Sequence, residues 1–225
     1  MDKKNSGLVF NIGFSIIALV GLTDLLTAVS FATHTSLSGW HLPLALVLTL
    51  ILSYYYHKYC LLTKKWTRFL ESSGCLLAIL IISIFIGGYF YDLSFDGQEY
   101  HQEAIYQLGH NHWNPFYETL PDSVNQAIWV KHYPKQSETG AAVIYAFTGH
   151  IETGQALNLL LLIGSFCLTV AFLKQHTRLS PLKIVLLGGL FALNPVTVHQ
   201  SLTYLVDGQM ASLLLCLLII CLWLY

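Results

Sequence analysis

The sequence predicts an all-α integral membrane protein with about six transmembrane helices and an outward loop, carrying two interfacial helices, between the third and fourth. Three observations lead there. Of the 225 residues, 55% are hydrophobic and only 10% charged, a balance that suits a bilayer better than water. Apolar runs recur at about 8–30, 41–62, 74–91, 156–173, 182–199 and 204–225, each near the roughly 20 residues a helix needs to cross a hydrocarbon core. No period-two barrel pattern is present, so backbone groups that meet no water in lipid must be satisfied within helices.

Orientation follows from the basic residues. Lys3 and Lys4 precede the first run; Lys58, Lys64, Lys65 and Arg68 follow the second; Lys174, Arg178 and Lys183 lie between the fourth and fifth. With six crossings all three clusters fall on one side, which the positive-inside rule makes cytoplasmic, with both termini. Trp40 and Trp66 stand at opposite ends of spans, where indole rings favour the headgroup layer. The first run is long and interrupted by Asp24, which reads as a retained span rather than a cleaved signal. Asn194-Pro195 breaks the fifth run near its outer end, because proline removes a backbone donor and clashes with the preceding turn. The five cysteines lie in or beside spans and fit no disulfide framework or zinc spacing. The outer loop holds no Asn-x-Ser/Thr acceptor, which directs the reading to a multi-pass protein of a bacterial inner membrane.

The loop at 92–155 changes character. Asp92, Asp96, Glu99, Glu103, Glu118 and Asp122 give it an acidic balance that argues against a nucleic-acid partner. His101, Ala104, Ile105 and Leu108 follow helical spacing, with Gly109 as a stop, so one face of this helix can rest on lipid or on the spans. The stretch from His110 to Asp122, with Pro115 and Pro121, reads as a turn-rich loop. After His132-Tyr133-Pro134, Ser137 is placed to cap a second helix through Phe147, too short to span and closed by Gly149.

Asp96 is the leading catalytic candidate, standing where an outward span meets a surface helix and able to act as a base toward a substrate at the interface. Its spacing to Glu99 is equally that of a capping box, in which both side chains serve backbone N–H groups. Phe95-Asp96-Gly97-Gln98 is echoed by Val206-Asp207-Gly208-Gln209, which puts a second carboxylate on the same side; Asp207 also reads as a cap of the last span. His101 and Glu99 complete the candidate set. Eight of the ten histidines fall at the outer face, so a divalent metal is a candidate cofactor, with Asp96 and His101 as its ligands, although no spacing matches a strong zinc signature. Asp24 reads first as a hydrogen-bonding partner within the bundle.

The order of these features resembles the N-terminal half of the GT-C class of integral-membrane glycosyltransferases, which includes protein mannosyltransferases and lipid A aminoarabinose transferases. The residues that carry it are Tyr91-Asp92-Leu93-Ser94-Phe95-Asp96-Gly97-Gln98-Glu99-Tyr100-His101, His132-Tyr133-Pro134, Thr148-Gly149-His150, Gln155-Ala156-Leu157-Asn158, Asn194-Pro195 and Asp207. The resemblance implies transfer of a sugar from a polyprenyl-phosphate carrier to a lipid, glycan or protein acceptor, with Asp96 as base or acceptor-orienting residue. In those enzymes the acidic loop follows the first span, whereas here it follows the third, and six spans are fewer than they have. Lys131 and Lys135 are the candidates for the donor phosphate, lying on the outer side near the headgroups. Two other readings compete: a scaffold that docks a membrane-protein partner through Trp113, Phe116, Tyr117 and Trp129, and a small-solute transporter built around Asp24.

Overall fold

The computed structural model describes residues 3–60 and 65–224; Lys64 lies outside them. Among the described residues every regular element is helical. Helices α1 (Lys3–Ala32), α2 (His41–Cys60) and α3 (Lys65–Tyr89) come first. A π-helical turn (Gly97–His101) runs into α4 (Gln102–Gly109), followed by α5 (Ala127–His132), α6 (Gln136–Thr148) and a 3-10 turn (Ile151–Gln155). The chain ends with α7 (Ala156–His176), α8 (Pro181–Ala192), α9 (Pro195–His199) and α10 (Asp207–Leu224).

Among the described residues three helical stretches are long and apolar enough to cross a membrane: Gly7–Ala32, Trp66–Tyr89 and Ile151–His176, with mean hydropathies of 2.1 to 2.3. Helix α2 is diluted by its Tyr54-Tyr55-Tyr56-His57-Lys58 end. The expected fifth span is two pieces. Helix α8, 12 residues long, rises only about 18 Å, and Asn194 then starts α9 by accepting the Thr197 N–H at 3.0 Å. Pro195 occupies the first turn, where its missing donor costs no hydrogen bond.

Helix α7 is the centre of the bundle, packing on α1, α3, α8 and α10. Its approach to α1 depends on two glycines. A Cβ on Gly13 would lie 3.0 Å from the Gly164 carbonyl oxygen, and one on Gly164 would press on Ile16 and Ile17. Small residues at such crossings are how apolar helices gain dispersion contact in lipid. Inside α1–α3, Asn11 donates to Ser53 at 2.8 Å and meets His57 Nε2 at 2.9 Å, and that nitrogen also meets Ser72 at 3.0 Å.

Residues between α3 and α7 gather at one end of the bundle. Asn114 Nδ2 donates to the carbonyls of Phe31 at 3.1 Å and Thr35 at 3.0 Å, fastening this segment to the end of α1. His101, Ala104, Ile105 and Leu108 are all buried, as their spacing predicts, and α4 packs on α6. Helix α6 departs from the sequence expectation of a surface helix, since Glu138 through Ile144 are buried continuously among α1, α4 and the 3-10 turn. Ser137 does not cap it; Ser137 lies in its first turn and donates to Glu138. Gly149 does close it, at φ +75, where a side chain would be strained. Helix α5 lies between the turn-rich stretch ending at Asp122 and His132-Tyr133-Pro134, where the sequence reading assigned no element.

Asn158 on α7 holds the link into α10 by donating to the carbonyls of Gln200 and Thr203, both at 2.8 Å. Asn158→Leu removes the side-chain donor from the Thr203 carbonyl and leaves Gln200 only its longer contacts from Thr203, at 3.3 Å, and should destabilise the fold by about 2 kcal/mol. Thermal unfolding of the purified chain in detergent measures this, and an unchanged midpoint would contradict the role.

Candidate functional site

The acidic motif after α3 divides its labour. Asp92, 2% exposed, is structural. Its Oδ1 accepts the Ser94 N–H at 2.8 Å and the Ser94 hydroxyl at 2.7 Å, while Oδ2 accepts the Tyr204 N–H at 2.7 Å. Its own carbonyl accepts from Gln98. One carboxylate therefore ties the motif to the segment just before α10. Gly97 is required for this, since a Cβ there would lie 2.1 Å from Asp92 Oδ2.

Asp96 is left exposed at the head of the π-helical turn. Its backbone is already helical, at φ −63 and ψ −34, and its side chain makes no capping bond, so the capping-box alternative is not formed. With Glu99, Tyr100, Gln126, Trp129 and Tyr133 it lines a cavity of about 280 Å³. The Tyr100 and Tyr133 rings stack with centroids 5.2 Å apart. Burial, and then the Asp96 charge beside it, push the Tyr100 phenol up to about 12, so it stays neutral. Glu99 is held loosely by Asn125 and Gln126, each at 3.4 Å.

The same turn carries His101 inward. Its Nδ1 lies 2.8 Å from Glu138 Oε1, with the two side chains 4% and 2% exposed. The second Glu138 oxygen accepts the Ser137 hydroxyl at 2.7 Å. His101 lines a second cavity of about 220 Å³ with Asp24, Tyr133, Gln136 and apolar residues of α7 and α10. A third, of about 560 Å³, lies between α1 and the segment α5–α6 and is lined by Asp24, Lys131, Lys135, Gln136, Thr139 and Phe116 among others. Lys131 pairs with exposed Asp122 at 3.0 Å. The Lys135 Nζ is buried and has no hydrogen-bond partner among the described residues. Burial pulls this ammonium below its ordinary range, opposed by the nearby Glu138 charge.

These cavities adjoin. Asp24 and Gln136 line both the second and third, and Tyr133 lines both the first and second. Ordered by these shared residues, the three cavities form a row, called the trench below, with lysines at one end, His101 and Asp24 in the middle and, beyond Tyr133, Asp96 with Glu99 at the other. Asp24 accepts the Thr139 hydroxyl at 2.9 Å and so is the hydrogen-bonding partner its sequence position suggested, but it also faces both inner cavities.

Asp207 is placed differently. It is exposed in the first turn of α10, accepts from Gln200 Nε2 at 3.0 Å and lines none of these three cavities; its neighbour Gln209 lines the central one. The two copies of the Asp-Gly-Gln echo both begin helices, but their carboxylates do not meet in one cavity. Asp96 and His101 also open into different cavities, and among the described residues no group of three or more His, Cys, Asp and Glu side chains could hold a metal ion. Of the four aromatics proposed to dock a partner, Trp113 is buried and donates to the Glu118 carbonyl at 3.1 Å, while Phe116, Tyr117 and Trp129 remain at least half exposed.

Sequence reasoning passed over Glu138, and named Asp92 only for its charge and as part of the acidic motif. The available signal for Glu138 was a carboxylate beside Ser137 at the head of an otherwise apolar helix. For Asp92 it was the Asp-x-Ser spacing that forms a local side-chain turn. Comparison with protein-family models, curated proteins and solved structures returns no match.

Two outcomes follow from this geometry. Gly97→Ala should displace Asp92 and lower the thermal midpoint, whereas Gly21→Ala, whose added Cβ meets nothing within 4 Å, should not; equal midpoints would contradict the tie. Burial alone would raise the Glu138 carboxyl, but the His101 hydrogen bond, the Lys135 charge and the Ser137 hydroxyl outweigh it and hold it below its ordinary value of 4.5. A depressed carboxyl contributes stability that is complete above pH 4.5 and is lost as pH falls through the lower folded value. Glu138→Gln should flatten that acidic loss in a pH series of unfolding midpoints.

Proposed function

We propose that this chain transfers a sugar from a polyprenyl-phosphate carrier to a lipid, glycan or protein acceptor at the outer face of a cell membrane. The observation that carries the reading is the order of groups along the trench, from a cationic end to a carboxylate end. The cavity at the cationic end abuts the exposed Gly21, Leu25 and Ala28 of α1, an apolar strip on which a lipid tail can lie. Its unpartnered Lys135 ammonium, with Lys131, suits a phosphate that needs charge-assisted hydrogen bonds. The sugar then lies across Tyr133, whose ring is shared by the two cavities on either side.

At the far end Asp96 is exposed, uncommitted to capping and flanked by Glu99. It takes the acceptor hydroxyl proton as the oxygen attacks the anomeric carbon, a single displacement for which one base suffices. In this reading all six apolar segments cross the bilayer, α8 and α9 together forming one broken crossing, and the segment between α3 and α7 faces outward. That orientation puts the basic clusters inside. Asp207 supports the trench wall by ordering the start of α10 through Gln200, and no metal enters the scheme.

In membranes supplied with a polyprenyl-phosphate sugar, Asp96→Asn should abolish transfer without reducing expression. Lys135→Gln should raise the donor KM roughly tenfold, the value of one charge-assisted bond. Undiminished transfer by Asp96→Asn removes Asp96 from the chemistry.

A further inference from the structure

Glu138 has no part in the transfer just described, yet it is a carboxylate 2% exposed at the head of a buried helix. Such a group is costly unless paired. Both its oxygens are committed, Oε1 to His101 and Oε2 to Ser137. Because an ionised carboxylate only accepts, the proton of this contact sits on His101 Nδ1 whatever the charge of the ring. The opposite nitrogen, Nε2, makes no hydrogen bond among the described residues, and His101 lines the central cavity. An imidazole oriented from behind by a buried carboxylate, with its other nitrogen toward a cavity, is a proton-transfer device.

We infer that His101 is the acid of the transfer reaction, protonating the departing phosphate through Nε2, and that Glu138 is its positioning residue. This rests on the glycosyl-transfer reading. The acceptor oxygen forms a bond to the anomeric carbon and its proton passes to Asp96. The anomeric carbon–phosphate oxygen bond breaks with its electron pair on the phosphate. That oxygen takes the Nε2 proton of the imidazolium, leaving neutral His101 hydrogen-bonded to Glu138. The order along the trench assigns acid and base. His101 opens into the cavity that shares Asp24 and Gln136 with the lysine end, whereas Asp96 stands beyond Tyr133. The charged and titratable groups around the pair are Glu138 and Lys135 from the α6 side, Asp24 from α1, Tyr100 with its ring 4.5 Å from the imidazole and Tyr133 at 6.1 Å. Glu138 is the one among them that touches the ring nitrogen.

The test compares wild type, Glu138→Gln and Glu138→Asp as full chains in detergent, with a polyprenyl-phosphate sugar as donor. Glu138→Gln should lower kcat about 100-fold and leave the donor KM unchanged. Glu138→Asp should recover part of the kcat. Without substrate, NMR of chains labelled with nitrogen-15 in histidine should show the proton of the His101 ring held on Nδ1 in wild type and shared between the two nitrogens in Glu138→Gln. Unaltered kcat and an unaltered ring tautomer in Glu138→Gln, with active wild type, overturn the acid role and leave the transfer reading standing. A loss confined to KM assigns Glu138 to donor binding and also overturns it. A wild-type chain that transfers no sugar overturns the transfer reading, and the acid role with it, whatever the ring tautomer is.

Discussion

The folding of the polar end depends on one constraint: α6 is buried over seven consecutive residues beginning with a charged one. A buried carboxylate needs partners, and Glu138 takes them from the π-helical turn through His101 and from its own helix through Ser137. That contact fixes where the acidic motif after α3 meets α6. Asp92 then fixes the same motif against the segment entering α10. Between these two ties the turn has little freedom, so Asp96 and His101 point to opposite sides of Tyr133, and the trench acquires two distinct ends.

The lysine and histidine cavities are walled in part by membrane-type helices, α1 in both and α7 and α10 in the second, whereas the Asp96 cavity is built wholly from the segment between α3 and α7. Asp24 lines both of the first two. On α1 alone it is a defect in an apolar run, but with Thr139 donating to it and Gln136 beside it, it becomes a polar hinge between the lysine cavity and the histidine cavity. Lys135 is the complement, a buried ammonium that feels the Glu138 charge but has no hydrogen-bond acceptor among the described residues, which leaves its N–H donors unmet.

Much of the architecture was legible because helices announce themselves by length and period. The boundaries of α1 and α7, the stripe from His101 to Leu108, the stop at Gly149 and the break at Asn194-Pro195 all follow from local rules and are found in the structure. Partnership across long sequence separations was not legible. His101 meets Glu138 37 residues away, and Asp92 meets Tyr204 112 residues away; no periodicity encodes either. The echo at Asp96 and Asp207 suggested convergence because two similar motifs share a side of the membrane in six-span topology. Each instead packs its own glycine against a local partner, Asp92 for Gly97 and Gln200 for Gly208, which sets the two carboxylates in different surroundings.

The central claim is that the trench holds a lipid-linked phosphate at the Lys131–Lys135 end with its sugar toward Asp96. An experimental structure of the full chain with a bound polyprenyl-phosphate sugar tests it most directly. The account predicts the phosphate within hydrogen-bonding distance of Lys135 Nζ, the tail along Gly21, Leu25 and Ala28, and the sugar beside Tyr133. A phosphate bound away from both lysines, or a sugar separated from Tyr133 and Asp96, would contradict it.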